Sequence, residues 1–261
     1  MTDPDGAGVV ITGAGAGIGA ALARRFAAEG ARVVVNDIDA RAARAVAAEV
    51  GGIALPGDAA SRAGVEALIA DARAALGGEI DVYCANAGVA GEPGLDASDA
   101  AWARAWDVNT MAHVRAARVL VPGWVARGRG HLITTVSAAG LLTMVDAAAY
   151  SATKHAAYAF AEWMAITYGA KGVTVQAVCP LGVRTALLAD TGAAGRLVLD
   201  DGAITPEEVA ETVVAAARRG APFLVLPHPE VARMYAGRAA DPERWLRGMR
   251  RLQARLDQAR A

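Results

Sequence analysis

Short apolar runs alternate with longer stretches of helical periodicity along almost the whole chain. The runs are apolar at successive positions, which is typical of strands that are buried on both faces of a sheet. They lie at residues 9–11, 32–35, 53–55, 80–85, 131–136, 173–178 and 223–226. A helical segment follows most of them, so the pattern predicts an α/β fold in which one doubly wound parallel sheet carries helices on both faces.

Polar residues mark the ends of several predicted helices. Ser61 and Ser98 are suitable N-caps, and TPEE at 205–208 is a capping box with proline at the first helical position. The helix after Ser98 is long, and we expect Pro122 to interrupt it. A further helix is predicted over 150–168. No repeat, low-complexity tract or linker is evident, so one domain, 1–261, is expected.

The C-terminal part of the chain has its own helical pattern. A helix is predicted over about 242–259, with apolar residues at helical spacing and arginines on its other faces. The apolar positions are Trp245, Met249, Leu252 and Leu256. Three interpretations stay open: this helix packs on its own domain, docks on a neighbouring subunit, or covers a substrate pocket. The segment before it, about 186–204, has no firm periodicity and is a candidate mobile substrate loop.

The composition restricts the kinds of partner. Hydrophobic residues make up 54% of the chain and the formal net charge is −1, so neither nucleic acid nor an anionic membrane is an expected partner. No apolar run reaches the roughly 18 residues of a membrane span, and no signal peptide is evident. Cys84 and Cys179 lie in apolar runs, which favours reduced thiols. We expect a cytoplasmic protein without a metal site.

The first apolar run leads into a glycine-rich turn, TGAGAGIG at 12–19. Such a turn lets the backbone approach a pyrophosphate, which rests at the N-terminus of the next helix. The strict G-x-G-x-x-G spacing fails because Ile18 stands at the sixth position, and the turn alone also fits an ordinary loop. Asp37 ends the second run, where a carboxylate accepts hydrogen bonds from ribose hydroxyls and repels a 2′-phosphate. Together they favour NAD over NADP.

Tyr150 and Lys154, in the run YSATK, are a candidate catalytic pair. Lysine is rare here, because only Lys154 and Lys171 occur among 26 basic residues. Positions four apart share one helix face, so the phenol and the ammonium can point into one site. An ammonium about 4 Å from a phenol contributes roughly 4 kcal/mol at an effective dielectric constant near 20, which would lower the phenol pKa by about three units.

Further polar residues lie where predicted strands end, which is the edge at which open α/β sheets bind ligands. Asp58 follows the third run, Asn86 the fourth, Ser137 the fifth and Pro180 the sixth, while Asn109 lies in the long helix. Taken singly, each fits an ordinary turn, cap or helix position. Occurring together in this order, they predict a single site.

These motifs resemble those of the short-chain dehydrogenase/reductase family over about residues 7–190. TGAGAGIG matches the family's T-G-x-x-x-G-x-G, ANAG at 85–88 its N-N-A-G, and YSATK its Y-x-x-x-K, with a serine thirteen residues before the tyrosine. The resemblance implies a Rossmann-like sheet. It also implies a catalytic tetrad, namely Asn109, Ser137, Tyr150 and Lys154.

The resemblance further implies cofactor contacts. Gly13, Gly17, Ile18 and Gly19 would form the pyrophosphate turn. Asp37 would select NAD, Asp58 would lie near the adenine, Asn86 near the cofactor ribose, and Val183 and Thr185 near the nicotinamide amide or the pyrophosphate. Three places depart from the family pattern: Ala85 replaces an asparagine, Gln176 stands where asparagine is common, and the usual Pro-Gly pair is Pro180-Leu181-Gly182, which affects the backbone beside the nicotinamide.

The expected function is an NAD(H)-dependent oxidoreductase acting on a small-to-medium, largely apolar secondary alcohol or its ketone. Apolar residues after Ser137 and Thr185 favour such a substrate, although they would equally serve to pack the core. Two alternatives remain: an NADPH-dependent biosynthetic ketoreductase, and a non-catalytic cofactor-binding regulatory protein. Family members are commonly oligomers, so a homodimer or homotetramer built through helices 99–127 and 150–168 is expected.

Overall fold

Seven parallel strands form one sheet within residues 3–191, 199, 202–220 and 222–260, which the computed structural model describes. The strands are β1 Gly8–Ile11, β2 Arg32–Val35, β3 Ile53–Ala54, β4 Val82–Ala85, β5 Gly130–Thr135, β6 Val173–Val178 and β7 Leu224–Val225. Their order across the sheet is β3-β2-β1-β4-β5-β6-β7. Successive strands are added on one side of β1 up to β3 and on its other side from β4 onwards, so a ligand crevice is expected at the carboxyl ends of β1 and β4. The predicted fold class is confirmed.

The helices that the structure describes connect these strands and continue beyond β7. They are α1 Gly17–Ala28, α2 Ala40–Val50, α3 Arg62–Leu76, α4 Asp99–Trp106, α5 Ala112–Arg127, α6 Ala139–Leu142, α7 Ala148–Tyr168, α8 Ala186–Ala189, α9 Pro206–Arg219, α10 Glu230–Ala240 and α11 Pro242–Arg260. The predicted caps are confirmed: Ser61 accepts from the Gly64 N–H, Ser98 from the Ala101 N–H, and Thr205 forms the capping box with Glu208.

Both faces of the sheet are buried, which explains the continuous apolar runs. Successive strand residues point to opposite faces, so Val10 and Val34 enter the cluster beneath α3, α5 and α7. Val9 and Val33 enter the second cluster, beneath α1, α2 and α9. Each fully buried side chain of this size contributes roughly 1.5–3 kcal/mol to folding. The two clusters hold the strand ends, and hence the turns after them, in fixed positions.

Pro122 does not interrupt the long helix, so that prediction is wrong. It lies inside α5, where the loss of one backbone hydrogen bond is offset by the buried neighbours Leu120, Val121 and Trp124. The Trp124 indole N–H also donates to the Ile80 carbonyl at 2.8 Å. The actual irregularity is a π-helical turn, Asp107–Met111, between α4 and α5. It places Asn109, which makes it a feature of the site.

The remaining regional predictions have mixed outcomes. Cys84 and Cys179 are buried free thiols, as expected. Helices α6 and α10 were not predicted, and the C-terminal helix was. Part of the predicted loop 186–204 forms α8, while residues 192–198, 200 and 201 lie outside the described residues. Across the helices of the described chain, none combines the length and apolar character needed to cross a membrane.

Candidate active site

A cavity of about 470 Å³ lies at the carboxyl ends of the strands. It gathers nearly all of the predicted site residues on one surface. Those that line it are Gly13, Gly17, Ile18, Asp37, Asp58, Asn86, Ser137, Tyr150, Lys154, Val183 and Thr185. The predicted residues Gly19 and Asn109 are absent from this lining. Both lie behind it and support residues that face the cavity.

The glycine turn connects β1 to α1 and passes close to the segment that follows β4. Gly13 has φ +62°, and a Cβ there would lie 2.8 Å from the Cα of Ala87. A Cβ on Gly19 would lie 2.2 Å from the Gly13 carbonyl oxygen. Gly19 is therefore a packing residue. Within the described chain, α1 has neither a side-chain cap nor an acidic residue in its first turn, so its N-terminal N–H groups and dipole suit an anion such as a pyrophosphate.

Asp37 is held in place at the end of β2. Its carboxylate accepts from the Gly15 N–H at 2.9 Å and from the Asp39 N–H at 3.0 Å. Gly15 belongs to the glycine turn, so the carboxylate is tied to the turn while it still lines the cavity. The fixed negative charge fits ribose hydroxyls as hydrogen-bond donors and opposes a phosphate at the same place.

Asp58 begins the turn that leads into α3. Its carboxylate accepts from the Ala60 N–H at 2.8 Å and the Ser61 N–H at 3.1 Å. A hydrogen bond from the Ser61 side chain lowers the pKa of Asp58, and these two N–H groups and the charge of Arg115 act in the same direction. Asp58 therefore combines a structural role in the turn with a place in the cavity wall.

Asn86 clamps three strand ends together. Its Nδ2 donates to the Thr12 carbonyl at 3.0 Å, and its Oδ1 accepts from the Thr135 hydroxyl at 3.0 Å. The Thr12 hydroxyl in turn accepts from the N–H groups of Asn86 and Ala87, at 3.0 and 3.1 Å. The side chain of Asn86 is thus engaged with protein groups. Thr135 was missed by the sequence analysis, since a threonine at a strand end gives no distinctive signal.

Ser137 and Tyr150 form the centre of the site. Both side chains line the cavity, and the Ser137 hydroxyl is close enough to act on the pKa of the Tyr150 phenol. Ser137 has φ +135°, a strained value for a residue other than glycine, and its Oγ accepts from the Ala139 N–H at 3.1 Å. Burial raises the pKa of Tyr150, and the hydrogen bond from Ser137 acts in the opposite direction. The expected lowering of this pKa is therefore not observed.

The position of Lys154 explains this difference. Its ammonium donates to the Thr135 carbonyl at 2.9 Å and lies 5.6 Å from the centroid of the Tyr150 ring. The lysine is only 2% exposed, and burial lowers its pKa to about 8. Loss of water around the phenolate is thus the largest effect on the pKa of Tyr150. Tyrosine and lysine lie together as the motif predicts, but burial favours the neutral form of each.

Asn109 is fixed by the π-helical turn and faces the loop after β4. Its amide exchanges two hydrogen bonds with the backbone of Val89, both at 2.9 Å, and donates to the Thr153 hydroxyl at 3.1 Å. Gly88 separates it from the lysine: a Cβ there would lie 3.3 Å from Asn109 Oδ1 and 3.4 Å from Lys154 Nζ. The amide therefore positions the loop beside Lys154, and its proposed role in holding a water molecule stays a prediction.

The unusual Pro180-Leu181-Gly182 segment follows a defined path. The Pro180 carbonyl accepts from the Ala138 N–H at 2.8 Å, and the Leu181 N–H donates to Nδ1 of His228 at 3.1 Å. A Cβ on Gly182 would lie 2.2 Å from the Leu199 carbonyl oxygen. His228 was missed because it lies 47 residues away in sequence. It supports the inserted leucine in the place where the family pattern has glycine.

Val183 and Thr185 close the cavity opposite the glycine turn. Val183 pairs with Ile204 in an isolated parallel bridge. The Thr185 hydroxyl accepts from the Leu188 N–H and so caps α8, while its methyl group lies 3.0 Å from a Cβ built on Gly17. Thr185 is therefore within reach of any group bound at the glycine turn, as the resemblance implies.

The C-terminal helices also contribute residues to the cavity wall. Met234 on α10 and Trp245, Met249 and Leu252 on α11 line the cavity that also contains Tyr150. Of the three interpretations left open by the sequence, the structure combines two: α11 packs on its own chain, and in doing so covers the cavity.

Comparison with known proteins agrees with this arrangement. A family model described as short chain dehydrogenase matches residues 7–195. The chain is 39% identical over 217 residues to 1-deoxy-11-beta-hydroxypentalenate dehydrogenase of Streptomyces exfoliatus, which covers 78% of this chain and 77% of that protein. It is 34% identical over 219 residues to cyclohexanol dehydrogenase of an Acinetobacter species, with 78% and 84% covered.

The fold comparison extends over more of the chain. A crystal structure of a short chain dehydrogenase/reductase from Burkholderia phymatum in complex with NAD matches with a TM-score of 0.85 and 28% identity, over 93% of this chain and 96% of that chain. One explanation accounts for the sheet order, the motif residues that the fold brings together and these similarities. The chain belongs to the short-chain dehydrogenase/reductase family.

Proposed function

We propose that the protein is an NAD(H)-dependent dehydrogenase or ketoreductase that interconverts a largely apolar secondary alcohol and its ketone, with Tyr150 as the acid/base. One observation carries the proposal. Tyr150 and Ser137 line one cavity with the buried ammonium of Lys154, which lies 5.6 Å from the centroid of the Tyr150 ring, and this cavity continues to the glycine turn. Burying a phenol together with an ammonium does little for the stability of the fold, whereas such perturbed groups are typical of sites that transfer protons.

The residues at the other end of the cavity fit a dinucleotide. The uncapped N-terminus of α1 would receive the pyrophosphate, and the carboxylate of Asp37 would accept from the adenosine ribose. Bound NAD would supply the hydride acceptor for alcohol oxidation, and NADH the hydride donor for ketone reduction. The preference for NAD over NADP rests on Asp37, since a 2′-phosphate would meet a fixed like charge.

The proton chemistry falls to three side chains. In ketone reduction the Tyr150 hydroxyl would give its proton to the substrate oxygen, and in oxidation its phenolate would take the alcohol proton. The Ser137 hydroxyl would donate to the same substrate oxygen, where negative charge develops. Lys154 lies between the phenol and the Thr135 carbonyl, so it would stabilise the phenolate when the proton has left.

The apolar substrate is supported by the cavity wall beyond Tyr150. Leu142, Met144 and Val145 from the segment after Ser137 line it, as do Leu187 and Leu188 on α8. Two relatives are named as dehydrogenases of cyclohexanol and of a hydroxypentalenate, which are compounds with a hydroxyl on an alicyclic ring. A ring-borne secondary alcohol is therefore the substrate class that we propose.

The decisive experiment compares Tyr150→Phe with Tyr158→Phe. Both tyrosines lie on α7, but only Tyr150 lines the cavity, while Tyr158 packs against Phe223 at 5.6 Å between ring centroids. We expect Tyr150→Phe to lose at least roughly a hundredfold in kcat with unchanged NADH affinity, because general acid–base catalysis is worth about that much. Tyr158→Phe should retain activity. Near-wild-type turnover by Tyr150→Phe would overturn the assignment.

The two alternatives make different predictions. An NADPH-dependent reductase would bind NADPH more tightly than NADH, which the carboxylate of Asp37 disfavours. A non-catalytic cofactor-binding protein would bind NADH but turn over no alcohol across a panel of secondary alcohols. The burial of Lys154 beside Tyr150 disfavours this alternative, because a protein without turnover has no need of an ammonium buried next to a phenol.

The proposal includes a homo-oligomer and a cytoplasmic location. An exposed apolar patch lies on α7, where Trp163 is 51% exposed and Ile166 77% exposed. Trp163→Glu should reduce the mass measured by sedimentation, whereas Leu95→Glu, equally apolar but outside α7, should not. A monomeric wild-type protein at micromolar concentration would refute this part. The location is supported by the two buried free thiols, which suit a reducing compartment.

A further inference from the structure

The C-terminal helices lie beyond the part of the chain that the family model matches. That match ends at residue 195, whereas α10 and α11 cover Glu230–Ala240 and Pro242–Arg260. The family model itself therefore says nothing about these helices. Their placement in this chain has to be explained from their own contacts.

One face of α11 is directed at the cavity. Trp245, Met249 and Leu252 recur at helical spacing and line the cavity that holds Tyr150. All three are half-buried, while Leu256, one turn further on, is fully buried. The other faces of the helix carry exposed arginines, so the apolar face is the one that contacts protein.

Two contacts fasten these helices to the catalytic segment. Leu256 forms a small core with Val145, against which Met144 and Met249 pack. Val145 lies five residues before Tyr150, so α11 is attached to the chain that leads into the catalytic helix. On α10, the Arg238 guanidinium donates to the Leu141 carbonyl and contacts Nε2 of His155 at 3.2 Å. The wall thus has a fixed position relative to Ser137 and Tyr150.

We propose that α11 is the outer wall of the substrate site in its own chain, and that Trp245, Met249 and Leu252 select a bulky apolar secondary alcohol of two or more fused or bridged rings. The inference rests on the proposed function and names its substrate class. We expect a small alcohol bound at Tyr150 to leave this wall uncontacted. A bridged or fused ring system would extend towards α11 and bury apolar area against it, and the flexible methionine would adapt to its shape.

The test uses two secondary alcohols with the same reacting group, propan-2-ol and borneol. Trp245→Ala and Met249→Ala should lower kcat/KM for borneol roughly tenfold or more and leave propan-2-ol within about twofold, because only the bulky alcohol contacts the wall. Met249→Trp should fill the space and exclude borneol alone. Leu246→Ala is the matched control, since Leu246 lies on α11, is 44% exposed and does not line the cavity.

Calorimetric binding of borneol to the NAD-loaded protein separates this inference from the proposed function. If the wild-type protein binds borneol but oxidises neither alcohol, the inference about the α11 wall stands and the proposed dehydrogenase function is refuted. If the wild-type protein does not bind borneol, the inference about the α11 wall is overturned. The same result follows if Trp245→Ala and Met249→Ala affect both alcohols equally, or if Leu246→Ala matches them. Unchanged NADH affinity in each variant shows that the fold is intact.

Discussion

Two buried histidines make the stability of the protein depend on pH. His113 on α5 is 1% exposed, and neither ring nitrogen has a hydrogen-bond partner among the described residues. Burial lowers its pKa to about 3, and the nearby charge of Lys154 acts in the same direction. His131 on β5 is equally buried, and burial lowers its pKa to about 4 although its ring bonds Gln176 at 3.1 Å.

The sign of the effect follows from which state binds protons. In the unfolded chain both histidines titrate near 6.5, while in the folded chain they stay neutral down to about pH 4 or below. Between these limits the unfolded state binds more protons, so stability is present above about pH 6.5 and is lost as the pH falls. At pH 5 each histidine contributes a loss of about 2 kcal/mol relative to pH 8, or about 4 kcal/mol together.

Urea unfolding at pH 8 and pH 5 measures this loss at one fixed protein concentration. His113→Gln and His113→Leu cannot titrate at this position, so in both the loss between these pH values should shrink by about 2 kcal/mol. Agreement between the polar and the apolar variant would attribute the change to the proton and exclude a packing effect. A loss that stays at the wild-type value in both would refute the assignment of a buried neutral His113.

Three further predictions concern the site itself. Asp37→Ala should relax the preference for NADH over NADPH about tenfold, because it removes a fixed charge worth roughly 1–2 kcal/mol beside a 2′-phosphate; equal cofactor preference in wild type and variant would count against Asp37. Gly88→Ala should lower kcat while leaving the melting temperature nearly unchanged, since its methyl group would crowd Asn109 Oδ1 at 3.3 Å and Lys154 Nζ at 3.4 Å. An unchanged kcat would contradict that geometry. Because burial raises the pKa of Tyr150, the fraction of phenolate grows with pH, so kcat/KM for alcohol oxidation should rise about tenfold per pH unit from pH 6 to 8 while ketone reduction should not; an oxidation rate independent of pH would disagree.

The fold was largely predictable because its signals are local. Continuous apolar runs identified every strand, since burial on both faces leaves no polar alternation. Caps such as Ser61 and Thr205 fixed helix starts through hydrogen bonds within one turn. Pro122 was misjudged because a proline's local cost is small beside the packing of a buried helix. The π-helical turn that positions Asn109 gives no local signal, since its residues could equally form an ordinary helix.

The site was predictable where a motif keeps residues close in sequence, and less so elsewhere. Tyr150 and Lys154 lie on one helix face, and Asp37 ends a strand, so their placement follows from the elements. The supporting contacts come from distant segments: His228 reaches Leu181, and Thr135 accepts from Lys154. The environment of Tyr150 was also unpredictable, because burial depends on how α7 packs and not on the spacing of its residues.

Burial acts on Tyr150 and Lys154, the proposed catalytic pair, in one consistent way, and this restricts how the pair could work. It raises the pKa of Tyr150 and lowers that of Lys154 to about 8, so each group is driven towards its neutral form. Near neutral pH the phenol holds its proton, which suits donation to a ketone, while the ammonium keeps a charge stabilised by the Thr135 carbonyl. In the proposed mechanism, the adjacent ammonium would offset the negative charge once the phenol has given up its proton, and a lysine with a pKa of about 8 could return a proton at little cost. A lysine pKa near 8 therefore matters as much as the phenol pKa, and an arginine, which does not release its proton, could supply the charge but not the transfer.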